Sequence, residues 1–252
     1  MPHPDFARAA ELVTPEKIRD LTIALVDIPS PTGQEAGVAN FLARRMAELG
    51  METDLPQVDP GRPNAVGHLR GDRDGLNLLF TGHMDTSYSG DEPHLHGEGF
   101  RPRGVFRDGW IWGLGANNMK SGLACALVAI EAIVRSGIEL AGDVSFGAVV
   151  GEIEKTAIEE FQGIEYSGYG VGTRHLATHG VTADFAVLAE PTGMRIATAN
   201  MGVVWARITV QGVVAHSAMS NRPGTTNAIA VMHDLQSDIA AWTKAYEAAT
   251  IY

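Results

Sequence analysis

Cysteine and positive charge are both scarce in this 252-residue chain, and each shortage argues against a class of protein. With the single cysteine Cys125, the chain cannot form an intrachain disulfide. The absence of disulfides is typical of proteins from a reducing cytoplasm. Lysine and arginine number 19 against 30 acidic residues, so the net charge is -11. Nucleic acids and anionic membranes bind basic surfaces, and we therefore expect neither as a partner.

Long hydrophobic runs are also missing from the sequence. The chain has no uninterrupted apolar segment of the roughly 20 residues needed to cross a bilayer, and its first residues lack the apolar core of a secretory signal. Apolar residues make up 45% of the chain and charged residues 19%, which is an ordinary globular composition. We therefore expect a soluble, cytoplasmic protein.

Helices alternate with apolar strands through the first 190 residues. Thr14 and Pro15 predict the N-cap and first residue of a helix that ends near Val26, and Gly50 is the predicted end of a second helix. Further helices are predicted over 119–135 and 226–246, and strands over 64–69, 76–81, 143–150, 184–189, 196–200 and 203–211.

This alternation predicts an α/β fold, with a three-layer, mostly parallel twisted sheet flanked by helices. The pattern changes after residue 190, so we assign residues 1–197 to this domain and residues 198–252 to the start of a smaller α+β domain. Cys125 lies among apolar helix residues and is expected to be buried. Lys120 is expected to form a structural ion pair.

Three of the predicted strands end close to a side chain that could bind a metal. His83 and Asp85 follow the first strand, Glu152 follows the second and Glu190 follows the third. In open α/β sheets, ligands bind beyond the carboxyl ends of the strands. A histidine can bind a metal through one ring nitrogen while a nearby carboxylate orients the other nitrogen. The pattern therefore predicts a metal site at this edge of the sheet.

Five segments, in the same order along the chain, resemble conserved elements of the M20 metallopeptidases. This family includes acetylornithine deacetylase, succinyl-diaminopimelate desuccinylase, carboxypeptidase G and aminoacylase. The segments are Gly82-His83-Met84-Asp85-Thr86, residues 113–122 with Met119-Lys120, Glu152 after its strand, Glu190-Pro191-Thr192, and residues 212–228 with His216-Ser217. The resemblance implies a zinc-peptidase-like catalytic domain and a lid domain through which two chains form a homodimer.

The resemblance also implies an activity: a metal-dependent hydrolase that cleaves the amide C–N bond of a small N-acyl amino acid or a related carboxylate-bearing substrate. His83 and Glu190 would bind a divalent metal, with zinc favoured and manganese or cobalt as alternatives. Asp85 would orient His83, and Glu152 would act as the general base towards a metal-activated water. His216 would reach the substrate of the partner subunit and stabilise its oxyanion.

The sequence departs from the family pattern at one of the two expected metal positions. Asn118 stands where the family has a bridging aspartate, and a neutral amide oxygen is a poor bridge between two cations. The family's Glu-Glu pair is Glu152-Ile153 here. Glu154 is retained as an additional candidate ligand, although a shift of one residue on a strand reverses the direction of the side chain.

A late histidine ligand of the family would follow the lid domain, and it has no counterpart before Tyr252. We therefore expect the catalytic domain to be incomplete at its C-terminal part. Together these departures favour one metal ion per chain over two, held by His83, Glu190 and the oxygen of Asn118.

Several interpretations stay open at this point. Asn118 could instead cap a helix that begins at Met119. Arg174 and His175 lie in a glycine-containing connection that we interpret as a substrate-contacting loop; on a helix, His175 and His179 would share a face, as in metal-binding helices. The alternative functions are a mononuclear hydrolase that releases an amine from a non-peptide substrate, and a catalytically inactive binding or regulatory homologue.

Overall fold

The computed structural model describes residues 4–72, 74–153, 168–199, 206–219, 222 and 224–249. The chain divides into two compact units, Met1–Ala199 and Asn200–Tyr252. The assignment of a catalytic domain and a lid domain to residues 1–197 and 198–252 stays a prediction. Over the described ranges, no helix has the length and apolarity that crossing a bilayer requires.

The regular elements of the described chain are as follows. The helices are α1 (Pro4–Glu11), α2 (Pro15–Val26), α3 (Ala36–Glu48), α4 (Ser121–Ser136), α5 (Val171–Thr178) and, in the second unit, α6 (Ala228–Ala249). The strands are β1 (Glu52–Asp54), β2 (Gln57–Asp59), β3 (Arg62–Pro63), β4 (Ala65–Leu69), β5 (Leu78–His83), β6 (Val105–Arg107), β7 (Trp110–Trp112), β8 (Val144–Val149) and β9 (Phe185–Leu188).

Five strands form the central sheet in the order β1-β4-β8-β5-β9. β5 pairs in parallel with both β8 and β9, while β4 is antiparallel to β1 and β8. Four of the five strands therefore run in one direction, which confirms the predicted mostly parallel sheet. β4 and β5 are consecutive in sequence, yet β8 lies between them. Every residue of β8 is buried, as expected for a central strand.

Helices cover both faces of this sheet, which confirms the three-layer architecture. Phe146 and Ala148 of β8 belong to the main core, together with buried residues of α2, α3 and α4. Val149, the next residue along β8, points to the opposite face, where it packs with Val66 and with Leu176 of α5. Successive residues of a strand face opposite sides, so β8 contributes to both layers.

The helix ends follow local signals in the sequence. The side chain of Thr14 accepts a hydrogen bond from the backbone N–H of Lys17 at 3.3 Å, so Thr14 is the N-cap of α2. α4 ends at Ser136, and its C-cap, Gly137, has a φ of 66°, in the left-handed region that glycine adopts without strain. Cys125, in contrast, is exposed, and the prediction of burial is wrong. It lies on the outward stripe of α4, between the buried Ala124 and Ala126.

Two predictions of secondary structure are corrected. Part of the connection interpreted as a loop is the helix α5, which forms because Leu176 packs against the sheet. The strands predicted over 196–200 and 203–211 are absent at the described positions 196–199 and 206–211. A strand needs a hydrogen-bonded neighbour, and these positions have no strand partner within the described chain.

Candidate metal centre

The carboxyl ends of three neighbouring strands bring the predicted metal-binding side chains together. His83 is the last residue of β5 and pairs with Val149, the last residue of β8. On the other side, Thr81 of β5 pairs with Leu188, the last residue of β9. Glu152 and Glu190 follow these strand ends, so the parallel register delivers both carboxylates to the edge at which His83 lies.

Three side-chain oxygens face the Nε2 atom of His83. Asn118 Oδ1 lies at 2.9 Å, Glu190 Oε1 at 3.5 Å and Glu152 Oε2 at 3.7 Å. The imidazole is 1% exposed, whereas the side chains of Glu190 and Glu152 are 28% and 48% exposed. A buried nitrogen donor and partly accessible oxygens thus converge at the rim of the sheet, and their roles as ligands or base stay predictions.

The second ring nitrogen of His83 faces Asp85. Nδ1 lies 2.9 Å from the backbone carbonyl oxygen of Asp85 and 3.4 Å from its carboxylate Oδ1. A carbonyl can only accept, so Nδ1 carries the proton and donates it. In the neutral ring, Nε2 then carries the lone pair that can bind a cation. The orientation expected from Asp85 is therefore supplied by its backbone carbonyl as well as by its carboxylate.

The carboxylate of Asp85 is buried and held on both oxygens. Oδ1 accepts the backbone N–H of Glu152 at 3.1 Å, and Oδ2 accepts the N–H of Ile153 at 3.0 Å. The hydroxyl of Thr32 donates to Oδ2 at 3.0 Å. Burial alone would raise the pKa of Asp85, but the contact with His83 and the two backbone N–H groups outweigh it and lower the pKa.

The cluster favours a positive charge at His83. Burial lowers the pKa of His83, but Asp85, the contact with Asn118 and the charge of Glu190 outweigh burial and raise the pKa to about 9. Burial also raises the pKa of Glu190; the charge of His83 opposes this effect, and the charges of Glu152 and Asp85 add to it. The surrounding oxygens therefore attract either a proton or a metal cation to Nε2.

The donor set at Nε2 fits a divalent cation. Two ligands about 2.1 Å from an ion, on tetrahedral directions, lie about 3.4 Å apart, which is close to the separations around His83. Among the residues described, no three His, Cys, Asp or Glu side chains converge closely enough to hold an ion by themselves. Within these described residues, a set of three donors would have to include the Asn118 oxygen, and the partly exposed carboxylates would have to rotate.

Asn118 faces His83 because the segment before α4 is not helical there. Its φ and ψ of -122° and 101° are extended, and the peptide bond to Met119 is cis. The helix begins at Ser121, with Lys120 as the N-cap and no side-chain capping bond. The alternative interpretation of Asn118 as a helix cap is therefore wrong. Met119 is buried below the site, and its sulfur accepts the backbone N–H of His83 at 3.1 Å.

Lys120 anchors this segment from the inside of the protein. It is 1% exposed, and its Nζ donates to the carbonyl oxygens of Leu25 at 3.0 Å and Ile28 at 2.7 Å. Burial lowers its pKa to about 7, although the charge of Asp27 partly opposes this shift. Its partners in the described structure are carbonyl groups at the end of α2, so the predicted ion pair is wrong.

The structure does not show contacts between the His83 cluster and the proposed substrate residues of α5. Arg174 is exposed and donates to the carbonyl of Tyr169 at 3.1 Å. The rings of His175 and His179 stack, with centroids 3.8 Å apart and an angle of 8° between planes. The nitrogen lone pairs of two parallel stacked rings lie in parallel planes and do not converge, so the two rings in this arrangement do not chelate one metal ion. The substrate role of Arg174 and His175 stays a prediction.

The remaining predicted site residues lie elsewhere. Glu154 falls outside the described residues. His216 is exposed in the second unit, where its Nδ1 accepts the N–H of Ala218 at 3.3 Å at the start of a short helical turn. That bond leaves Nε2 as the proton-bearing nitrogen, which is the form a hydrogen-bond donor to an oxyanion requires. Its catalytic role also stays a prediction.

Sequence reasoning missed the groups that support Asp85 from behind, namely Thr32, Glu35 and Arg62. The segment Ser30-Pro31-Thr32-Gly33 signals only a turn, and a turn signal does not indicate what its hydroxyl contacts. Glu35 and Arg62 are separated by 27 positions, and no local pattern identifies such a pair.

An imidazole and two carboxylates that converge at the carboxyl edge of a three-layer α/β sheet are the donor types of catalytic metal sites, as in the metal-dependent hydrolase class. The particular family follows from comparison with known proteins. The model of peptidase family M20/M25/M40 matches residues 79–250, and the chain belongs to this family. The resemblance seen in the sequence is thereby confirmed.

Individual relatives agree with this assignment. The chain is 32% identical over 178 residues to N-formyl-4-amino-5-aminomethyl-2-methylpyrimidine deformylase of Bacillus subtilis, covering 69% of this chain and 38% of the relative. It is 33% identical over 235 residues to succinyl-diaminopimelate desuccinylase of Gluconacetobacter diazotrophicus, covering 88% and 57%. The crystal structure of human carnosine dipeptidase 1 shares the fold, with a TM-score of 0.54 at 17% identity, covering 74% and 41%. The chain thus spans less than two thirds of each of these proteins.

Proposed function

We propose that this protein is a metal-dependent amidohydrolase that cleaves the C–N bond of a small N-acyl amino acid or a related carboxylate-bearing substrate. The observation that carries the proposal is the convergence of three side-chain oxygens within 3.7 Å of the buried His83 Nε2. Such a cluster holds a cation at the sheet edge where α/β proteins bind their ligands.

His83, Glu190 and the Asn118 oxygen are the proposed ligands of one divalent ion, with zinc favoured and manganese or cobalt as alternatives. When bound, such an ion supplies Lewis-acid polarisation of the amide carbonyl and lowers the pKa of a water molecule. One ion per chain is favoured because Asn118 is neutral and Ile153 offers no ligand atom. Metal analysis of the purified protein is expected to give one equivalent, and two equivalents would contradict this stoichiometry.

Glu152 is the proposed general base. Its carboxylate lies 3.7 Å from His83 Nε2 and is 48% exposed, so a water molecule and a substrate can approach it. A carboxylate in this position can take the proton of the attacking water and deliver it to the leaving amine. Asp85 does not face the substrate; it holds His83 and, through two backbone N–H groups, the segment that carries Glu152.

The relatives indicate which substrates to test first. By their names, one removes a formyl group and the other a succinyl group. We infer a substrate with a small acyl group on an amine, whose carboxylate could pair with Arg174 through a charge-assisted hydrogen bond. Turnover of N-formyl, N-acetyl and N-succinyl compounds with added Zn²⁺, Mn²⁺ or Co²⁺ tests this inference. Either a peptide-like or a non-peptide amine as the released product is compatible with the site.

Two further parts of the proposal concern the second unit. His216 would donate to the oxyanion of a substrate bound by the partner subunit, and the two chains would form a homodimer through the lid domain. Light scattering at micromolar concentration is expected to report a dimer, and a monomer would count against it. A cytoplasmic location stays a prediction.

Substitution of Glu152 gives the sharpest test of catalysis. Glu152→Gln is expected to lose turnover by a factor of at least about 100, within the range for a general base, while metal binding persists. Glu48→Gln is a matched control, because Glu48 is an exposed carboxylate on α3 that pairs with Arg45. Equal turnover in Glu152→Gln and the wild type would remove Glu152 from the mechanism.

A catalytically inactive binding homologue is the second candidate, and the observation in its favour is the neutral Asn118 at the metal cluster. Absence of turnover with every cation and substrate, combined with tight binding of an N-acyl ligand, would favour this second candidate. The same result would refute the hydrolase.

A further inference from the structure

The Asp85 carboxylate depends on a single side-chain hydroxyl for one of its contacts. Thr32 Oγ1 donates to Asp85 Oδ2 at 3.0 Å, beside the backbone N–H of Ile153 on the same oxygen. The other oxygen faces His83 Nδ1 and the N–H of Glu152. The direction of the carboxylate therefore decides both the orientation of the imidazole and the position of the 152–153 backbone.

Thr32 belongs to a strap, which we define as residues 30–35, that runs beside residues 84–86. The hydroxyl of Ser30 donates to the carbonyl of Met84 at 2.7 Å, and the N–H of Thr86 donates to the carbonyl of Ser30 at 2.8 Å. The N–H of Thr32 donates to the carbonyl of Thr86 at 3.2 Å. Thr32 is 1% exposed, so its hydroxyl has no access to bulk water that could replace Asp85 as a partner.

A buried ion pair holds the strap from behind. Arg62 donates from Nη2 to Glu35 Oε1 at 2.7 Å and from Nε to Glu35 Oε2 at 3.1 Å. The side chains are 5% and 0% exposed, so this is a desolvated, two-point contact. Glu35 Oε1 also accepts the N–H of Gly33 at 3.0 Å, which links the ion pair to the residue after Thr32.

We propose that Thr32 is a positioning residue of the metal centre: the strap, clamped by Glu35 and Arg62, presents its hydroxyl to Asp85 and so fixes His83 and the backbone of Glu152. The proposal rests on the proposed function in its claim about metal affinity. Without the hydroxyl, the N–H of Ile153 is the hydrogen-bond donor left on Oδ2 among the described residues, and the carboxylate gains freedom to rotate away from His83.

The test uses a pair of substitutions that differ in the hydroxyl. Thr32→Val keeps the shape of the side chain and removes the donor, whereas Thr32→Ser keeps the donor. Thr22→Val is the matched control, because Thr22 is 0% exposed and its hydroxyl has no hydrogen-bond partner in the described part of the chain. Thermal unfolding of each variant establishes that it is folded before binding is compared.

The first measurement is the affinity for Zn²⁺, determined by competition with a chelator. Loss of an outer partner of a metal-binding histidine typically costs about 10–100-fold in affinity. Thr32 acts one contact further out, so we expect about a tenfold loss in Thr32→Val, at the lower end of that range. Thr32→Ser and Thr22→Val are expected to bind as the wild type does.

The second measurement needs no metal and no turnover. Hydrogen exchange of the Glu152 and Ile153 amides in metal-free protein reports directly on their bonds to Asp85. We expect exchange about tenfold faster in Thr32→Val and unchanged in Thr32→Ser, since a hydrogen bond to a charged acceptor is worth about one factor of ten or more.

The two measurements separate the two proposals. One outcome is that the wild type binds no metal, while amide exchange is faster in Thr32→Val and unchanged in Thr32→Ser. This outcome would refute the proposed function and support the positioning role of Thr32. A folded Thr32→Val that matches the wild type in both Zn²⁺ affinity and amide exchange would overturn the inference. Loss of affinity in Thr32→Ser equal to that in Thr32→Val would also overturn it, because the hydroxyl would then be irrelevant.

Discussion

Gly122 sets the distance between α4 and the strand end that carries Glu190, and its replacement by alanine tests how the metal centre is positioned. A Cβ on Gly122 would overlap with the carbonyl oxygen of Ala189 and lie 2.9 Å from the Cβ of Ala189. Carbon atoms pack at about 3.5–4.0 Å, so the helix and the strand end must separate by an amount on the order of 1 Å. Glu190 is the next residue and must move with Ala189.

The expected effect on stability is small, while the expected effect on function is large. Alanine is about 1 kcal/mol better than glycine within a helix, and overpacking a tight contact costs about 1–3 kcal/mol. The net loss in the free energy of unfolding is therefore about 0–2 kcal/mol. A displacement of about 1 Å at a reacting centre can cost about 100-fold in rate, so we expect kcat/KM to fall by about that factor.

The assay for Gly122→Ala combines urea unfolding, Zn²⁺ affinity and turnover of the N-acyl panel. Gly99→Ala is the control, because a Cβ at Gly99 meets nothing within 4 Å. Unchanged affinity and turnover in a folded Gly122→Ala would refute the idea that the contact between α4 and Ala189 positions Glu190. A stability loss well above 3 kcal/mol would show that the helix cannot move away from the strand.

Three further predictions concern charge and metal. Arg62→Met leaves the Glu35 carboxylate buried without its cation, and we expect it to lower the free energy of unfolding by about 3–5 kcal/mol in urea titrations. A loss below about 1 kcal/mol, as is typical of solvent-exposed ion pairs, would contradict the buried character of this pair. Burial, helped by the charge of Arg70, lowers the pKa of His68 below 6.5. The unfolded chain then binds the proton first, so wild-type stability should fall as the pH drops below about 6.5, and His68→Gln should lack that part of the pH dependence. A chelator should lower the Tm of the metal-loaded wild type, because an ion at 100 times its Kd adds about 2.7 kcal/mol to the free energy of unfolding. The Tm of His83→Ala should not change when the chelator is added. Equal Tm shifts in both proteins would place the ion at another site.

The arrangement of the strand ends could be predicted from the sequence, because local apolar runs identify buried strands and parallel strands share an edge. This pattern predicts that His83 and Glu190 lie at the same sheet edge, and in the structure His83 Nε2 lies 3.5 Å from Glu190 Oε1. Exposure along helices was harder to predict. Cys125 has apolar neighbours on both sides, but the face of a helix that meets the core depends on how the whole helix packs.

The glycines around α5 are typical of a loop, but the structure gives each of them another role. Gly170 lies at a left-handed position before the helix, and Gly172 lies where the backbone of Val150 leaves no room for a side chain. Gly170 permits the left-handed backbone at the start of the helix, and Gly172 permits close packing against the backbone of Val150. Leu176 then holds the helix against the sheet through contacts that the local sequence does not encode.

By itself, the sequence determined the α/β pattern, the family and the side chains that follow β5, β8 and β9, because these depend on periodicity and on residues near one another in the chain. Only the tertiary structure decided that Asn118 faces His83 instead of capping a helix, and that Thr32 reaches Asp85 from 53 positions away. Contacts of that kind arise when separate segments pack together, so the burial and direction of each polar group are settled by the folded chain as a whole.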